Sequence, residues 1–214
     1  MTSTPTPDAV LGFWFPDTGH WMDEASHQAF WTERMQGGMD DRIIAEFADL
    51  TRAAAEGALD HWADTPHGRL ALLIALDQFP RSLWRDTPAA YAQDIKACHL
   101  ALDGISCGDI WALETWEQTF FVIAISHCEG PDHLARMHAL TDVVERICGA
   151  LRPELAFGAD RLRAQHARVT GIIETFGRHP HRNPIYGRVS SPAEAAYIAA
   201  GDFPHNAKPP APEP

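Results

Sequence analysis

The sequence predicts an all-α protein. Three observations carry that expectation. A hydroxyl residue followed by proline opens four stretches, apolar residues then recur at helical spacing, and no stretch of useful length alternates as a strand would. The pairs are Thr6-Pro7, Thr65-Pro66, Thr87-Pro88 and Ser191-Pro192. A Ser or Thr side chain at the N-cap accepts from a backbone N–H that has no partner in the helix. Proline at the first helical position gives up a donor that the helix does not need there.

The elements follow in order. After Pro7, the residues Val10, Phe13 and Trp14 form a short apolar face, and Ile43, Phe47, Leu50 and Ala54 form a second. Leu70, Leu73 and Ile74 line a third helix, expected to end near Gln78 because Pro80 disfavours helical geometry in the residue before it. Tyr91, Ile95, Cys98 and Leu102 continue the pattern behind Thr87-Pro88. Trp116, Phe120, Ile123 and His127 share a face, as do Leu134, Met137, Leu140, Val144 and Ile147. Leu162, His166, Val169, Ile173 and Phe176 form the last long face, and Gly177 fits the left-handed position that ends many helices. Ser191 and Glu194 make a capping box for a closing helix. These are seven to eight helices, in antiparallel pairs, as a bundle or a helical solenoid.

At 214 residues the chain is expected to form a single helical domain over residues 5–203, with a proline-rich, disordered tail over 204–214. The net charge of -12 argues against a nucleic-acid or anionic-membrane binder, since both need a basic face. Cys98, Cys107, Cys128 and Cys148 lack C-x-x-C spacing, and "MTSTPTPDAV" lacks a basic start and a long apolar core. The expectation is a cytoplasmic protein with reduced thiols. Apart from Lys96 and Lys208, every basic residue other than histidine is arginine. Arginine suits planar anions, although coding bias produces the same skew.

Against this acidic background, "FGRHPHRNPIYGR" gathers Arg178, Arg182, Arg188, His179 and His181 around two prolines and two glycines. A helix C-cap accounts for Gly177 and Arg178 but less well for Arg182 and Asn183. Anion binding by Arg182 with Arg81 or Arg178 accounts for them better. Asp77 lies on the Leu70–Leu73–Ile74 face, where an unpaired carboxylate is costly to bury, and Arg81 and Arg85 follow at once. That pattern fits a carboxylate orienting an arginine toward a ligand, or a structural ion pair at the helix end. His127, with Glu129 two residues on, and His166 both sit on apolar faces. They are either satisfied core histidines or members of a shared polar pocket. No H-x-x-x-H or H-E-x-x-H spacing supports a metal, and neither metal nor cofactor is expected. Cys128 beside His127 does not form a dyad with it, because helix neighbours point about 100° apart.

These blocks, taken together and in order, resemble a bacterial family known as domain of unknown function nine-two-four. Members carry "FWF" near the start, then "LLDQFPRN-RGTP-AF--D", "HSED" and "H--II-RFGRFPHRN--LGR-ST-EE". Here the blocks read "LIALDQFPRSLWRDTPAAYAQD", "SHCEG" and "HARVTGIIETFGRHPHRNPIYGRVSSPAEA". The resemblance runs from "VLGFWF" to "SPAEAAYIAAG" and implies a tetratricopeptide-repeat-like helical array with no established activity. The positions it carries over are Asp77, Gln78, Arg81, Arg85, Asp94, His127, Glu129, His166, Arg178, His181, Arg182 and Asn183. Two departures stand out: Gly130 replaces the last aspartate of "HSED", and His179 replaces the phenylalanine before "PHRN".

Three functions fit these residues. The first, which the mix of residues favours, is a site for a small anionic ligand or an acidic peptide, formed by Asp77, Gln78, Arg81, Arg85, Arg178, His181, Arg182 and Asn183. The second is an enzyme with His127 or His166 as general acid or base, oriented by Glu129 or Asp77. The third is a buried charge network that only fixes helix packing. A peptide groove would expose aromatic residues, with Trp14, Trp62, Trp84 and Trp111 as candidates.

Overall fold

Residues 5–17, 19, 22–35, 37–201 and 203 are described in a computed structural model of the chain, and all regular elements among them are helical. The tail over 204–214 lies outside the described residues.

The hydroxyl-proline starts behave largely as their chemistry demands. Thr6 accepts from the N–H of Ala9 and opens α1, Pro7–Trp14. Thr65 accepts from Gly68 and opens α4, Pro66–Leu73. Ser191 and Glu194 close a reciprocal capping box on α11, Pro192–Ala200. Thr87 is the exception. Its hydroxyl donates to the Trp84 carbonyl, and Pro88–Tyr91 is a 3-10 turn set before α6, Asp94–Ser106. The inward face of α6 is accordingly Asp94, Ala97, Cys98, Ala101 and Gly104, while Ile95, expected to be inward, is 62% exposed.

Pro80 gives a second correction. The helix expected to end near Gln78 continues through a π-turn, Ile74–Gln78, into α5, Phe79–Leu83. In a regular helix the ring of Pro80 would meet the carbonyl of Leu76, and Pro80 has no N–H to donate. Widening the turn so that the Phe79 N–H reaches the Ile74 carbonyl relieves the clash without ending the helix. Asp77 and Gln78 sit within this wide turn, and Arg81 lies on the turn after it.

Between α1 and α4 lie α2, Glu24–Met35, which the sequence reading did not anticipate, and α3, Asp40–Ala55. After α6 come α7, Thr115–His127; α8, His133–Ala150; α9, Phe157–Phe176; and the short α10, Asn183–Tyr186. With α4, the π-turn and α5 taken as one continuous helix, the described residues hold ten helices, somewhat more than the seven to eight expected. Consecutive helices pack on one another from α6 through α9.

The centre is α7, which is buried nearly all round: Phe120, Phe121, Val122, Ala124 and Ile125 are each under 5% exposed. A helix apolar on every side belongs inside a bundle. Gly104 of α6 lets it settle there, because a Cβ at that position would stand 2.6 Å from the Phe121 ring. One apolar cluster then runs from Val10 of α1 to Ile173 of α9. Phe13, Phe47 and Phe79 meet edge-on or tilted inside it, with Trp14 against Phe79 and Phe120. No described helix is long and apolar enough to cross a membrane.

Candidate functional site

The C-terminal end of α7 leaves the core beside the π-turn, and the loop after α9 folds back over both. Gly177 ends α9 in the left-handed conformation, at φ 68°. This turns the chain into the 3-10 turn Pro180–Arg182 and then α10. Three segments far apart in sequence thus converge: residues 77–94, 126–129 and 178–188.

Asp77 is 1% exposed. His127 Nδ1 lies 2.9 Å from its Oδ1 and 3.2 Å from its Oδ2. Next to a carboxylate, Nδ1 carries the proton and donates it, which turns Nε2 away from Asp77. Gln78 also donates to Asp77, and Arg81 donates to the Asp77 backbone carbonyl at the π-turn. Arg81 then reaches Asp94 Oδ1 at 2.9 Å, while Arg182 donates to Asp94 Oδ2, also at 2.9 Å. One carboxylate therefore joins two guanidinium groups from different segments. Tyr91 supports both, its ring centroid 4.3 Å from Arg182 and 5.6 Å from Arg81. Burial pushes Arg81 toward losing its proton, but Asp77 and Asp94 outweigh that and hold it above its ordinary pKa.

The loop is tied from outside as well. Glu129 accepts from the His179 backbone N–H at 2.8 Å and from Arg188 at 2.6 Å and 3.2 Å. Burial pushes the Glu129 carboxyl up, and these donors pull it down further than that, leaving it below its ordinary pKa. Arg178 forms a two-pronged pair with Glu194 of α11, at 2.7 Å and 3.0 Å. Asn183 is fully buried and donates to Ser190 Oγ at 3.0 Å. His179 and His133 both place Nε2 at the Ser126 carbonyl, at 2.9 Å and 3.0 Å. Burial, reinforced by nearby arginine charge, pushes His133 down to about 4 and His179 well below its ordinary value. Both are held neutral.

A cavity of about 410 Å³ opens in the middle of this convergence. Gln78, Arg81, Arg85, His127, His181 and Arg182 line it, together with Arg34, Trp14 and Tyr91. Arg85, at the rim, is also paired with Asp40 of α3, at 2.7 Å and 2.8 Å. Of the residues the sequence singled out, Asp77 acts from just behind the wall, through His127 and Arg81. Glu129, Arg178 and Asn183 hold the loop that forms one side. His166 is elsewhere: it lines a neighbouring cavity of about 700 Å³ between α2, α7 and α9, with Nε2 3.3 Å from the Thr141 hydroxyl.

The sequence reading missed Arg34. It is 8% exposed, and among the described residues no carboxylate pairs with it. Its guanidinium stacks on Phe30 at 3.6 Å, and burial lowers its pKa. The signal was present in "FWTERM", where Arg34 falls four residues after Phe30 and three after Trp31. Buried nitrogens on the cavity wall with no hydrogen-bond partner among the described residues include Trp14 Nε1, Arg34 Nε, Arg182 Nε and His179 Nδ1. The first three are donors, and His179 Nδ1 is an acceptor while Nε2 donates to the Ser126 carbonyl. No group of three or more His, Cys, Asp or Glu side chains that could hold a metal ion occurs among the described residues.

Residues 10–202 match a family described as "Bacterial protein of unknown function (DUF924)". The chain belongs to this family. A solved structure of a protein of unknown function from Agrobacterium tumefaciens is similar, at 29% identity and a TM-score of 0.70, over 91% of this chain and 97% of that one. No curated protein matches the chain. The match thus confirms the family resemblance carried by the "DQFPR", "SHCEG" and "FGRHPHRN" blocks.

Proposed function

We propose that this DUF924 member binds a small anionic ligand, a phosphate or carboxylate, in the 410 Å³ cavity. The observation that carries the reading is Arg34. An arginine only 8% exposed, with a buried Nε that has no partner and no carboxylate paired to it among the described residues, is costly unless something negative joins it. The cavity beside it adds Arg81 and Arg182, pre-set by Asp77, Asp94 and Tyr91, and the unmet donors of Trp14 and Arg182. A ligand rich in acceptors suits the spare donors of Trp14, Arg34 and Arg182.

A purely structural network explains the pairing of Arg81 and Arg182 with Asp94, but gives Arg34 and the cavity no role. An acidic peptide fits less well. It needs an open groove with exposed aromatics, whereas Trp14 and Trp62 are 3% and 8% exposed and Trp84 and Trp111 are half-buried. The contact between Asp77 and His127 supports a second reading, an enzyme in which His127 is the general acid or base and the arginines hold an anionic substrate. A turnover screen on anionic substrates, with His127→Gln as the control, tests it. The acidic net charge supports a protein that does not bind nucleic acid.

Calorimetric titration with a panel of phosphorylated and carboxylated small molecules tests the main reading. The expected result is saturable binding by a subset of the panel, weakened at least about tenfold in Arg34→Gln, in line with the loss of a charge-assisted hydrogen bond. An absence of binding across the panel, or equal binding by Arg34→Gln, overturns it.

A further inference from the structure

The arginine-lined cavity does not stand alone. The larger cavity of about 700 Å³ shares four of its lining residues: Met35, Ile123, Ser126 and Val169. These four, on α2, α7 and α9, border both spaces, which therefore adjoin. On α7 the lining steps from Thr119, Phe120 and Ile123 to Ser126, and then to His127 of the polar cavity. On α9 it runs from Gly158 to Val169, a span of roughly 16 Å at the helical rise of 1.5 Å per residue. The walls change character along that path. Around the first cavity stand Arg34, Arg81 and Arg182; the second presents mainly apolar surface, from Trp31, Phe120, Ile123, Met137 and Leu162, although Arg161 and Arg168 of α9 also border it. The cationic end is closed over by the 178–188 loop, and the apolar end is bounded by α2.

Resting on the anion-binding reading, we propose that the ligand is an anionic amphiphile. Its carboxylate lies among Arg34, Arg81 and Arg182, and its acyl chain lies along the groove between α2, α7 and α9. A small inorganic anion would leave the larger space to water against apolar walls. A chain attached to the anion removes that apolar surface from water, and each methylene buried favours binding by about fourfold. Placing His166 in the second cavity fits this division. With its Nε2 turned to Thr141 and burial holding its pKa down, it is a neutral wall residue and no part of the charged end.

The test is a calorimetric titration of the full-length protein with straight-chain carboxylates below their micelle concentrations, from acetate through octanoate to dodecanoate. Dissociation constants should fall with chain length, by about 250-fold between octanoate and dodecanoate if all four added methylenes are buried. Ala164→Trp is the blocking variant. Ala164 lines the groove, is exposed and sits mid-helix on α9, so a larger side chain there fills the groove without disturbing the core. It should abolish the dependence on chain length and leave short carboxylates bound as before. Arg34→Gln should weaken every member of the series alike.

Equal affinity for acetate and dodecanoate overturns the amphiphile while leaving the anion site standing. Chain-length dependence that survives Ala164→Trp overturns the groove as its cause. Strong binding of dodecanoate that ignores Arg34→Gln overturns the placement of the head group. No binding of any carboxylate, together with failure of the phosphorylated panel, removes the anion reading and this inference with it.

Discussion

The loop from Arg178 to Arg188 places its arginines in two different settings. Arg178 and Arg188 are each held by one carboxylate, Glu194 or Glu129, and neither lines the 410 Å³ cavity. Arg182, between them, turns inward, is 3% exposed, lines the cavity and shares Asp94 with Arg81. The same residue type thus fastens the loop from one side and presents charge to a cavity from the other. Arg34 carries the contrast furthest, since it presents charge and fastens nothing by an ion pair. The outer pairs are built for stability. The inner group tolerates a cost to stability that an anion would offset.

Breaking the shared carboxylate should cost most. Asp94→Ala leaves Arg81 and Arg182 facing each other without their common partner. Removing one side of a buried ion pair costs about 3–5 kcal/mol. The unfolding midpoint should fall by about 10 °C in a calorimetric scan, given roughly 2–4 °C per kcal/mol at this size. A midpoint unchanged from wild type would show that Asp94 does not organise the two arginines.

Glu129→Gln attacks the outer fastening. It loses the charge that receives Arg188 and weakens the bond from the His179 N–H, so the expected cost is about 2 kcal/mol. Denaturant unfolding measures it. Because the loop forms one cavity wall, anion affinity should fall too, but less than in Arg34→Gln.

Acid should act through the neutral histidines. His133 and His179 have folded-state pKa values below the ordinary 6.5 because burial penalises their charged forms. The unfolded chain therefore takes up protons that the fold refuses, and stability falls as pH drops from about 6.5 toward about 4. His133→Gln keeps a donor for the Ser126 carbonyl and cannot titrate, so its unfolding midpoint should change less across that window. Glu194 responds at lower pH. Arg178 holds its carboxyl at about 2, so the contribution of that pair is complete above 4.5 and lost as pH falls toward about 2.

The smallest effect on stability is expected at Arg34. Arg34→Met removes a buried cation with no carboxylate partner and keeps an apolar side chain against Phe30. Stability should hold or rise, by on the order of 1 kcal/mol, because replacing a buried charge by an apolar group is often neutral or favourable. A site that costs stability to keep is a functional signature.

Much of this was legible in the sequence, for reasons specific to each residue. Thr6, Thr65 and Ser191 announce helix starts because capping is a local hydrogen bond, and Gly177 announces a stop because the left-handed turn is a local conformation. Asp77 and Arg81 read as partners because four residues on a helix bring them together. Pro80 misled because a π-turn lets the helix continue, and the packing around Phe79 decides whether it does. Periodicity put His166 on an inward face correctly, but a face does not say which cavity it meets. The spacing of Arg34 from Phe30 and Trp31 announces a stacked arginine but no site. Only the arrival of residues 77–94 and 178–185 around it makes an arginine on a short amphipathic helix into part of a cavity wall.

The most direct test of an anion held by Arg34 compares unfolding midpoints of wild type and Arg34→Met, each alone and with phosphate or octanoate added. Ligand binding to the native state raises the midpoint, so the wild type should gain with at least one of the anions and the variant should not, while the variant alone melts no lower than wild type. A variant that melts several degrees lower on its own and responds to both anions as the wild type does would make Arg34 a packing residue and contradict the account.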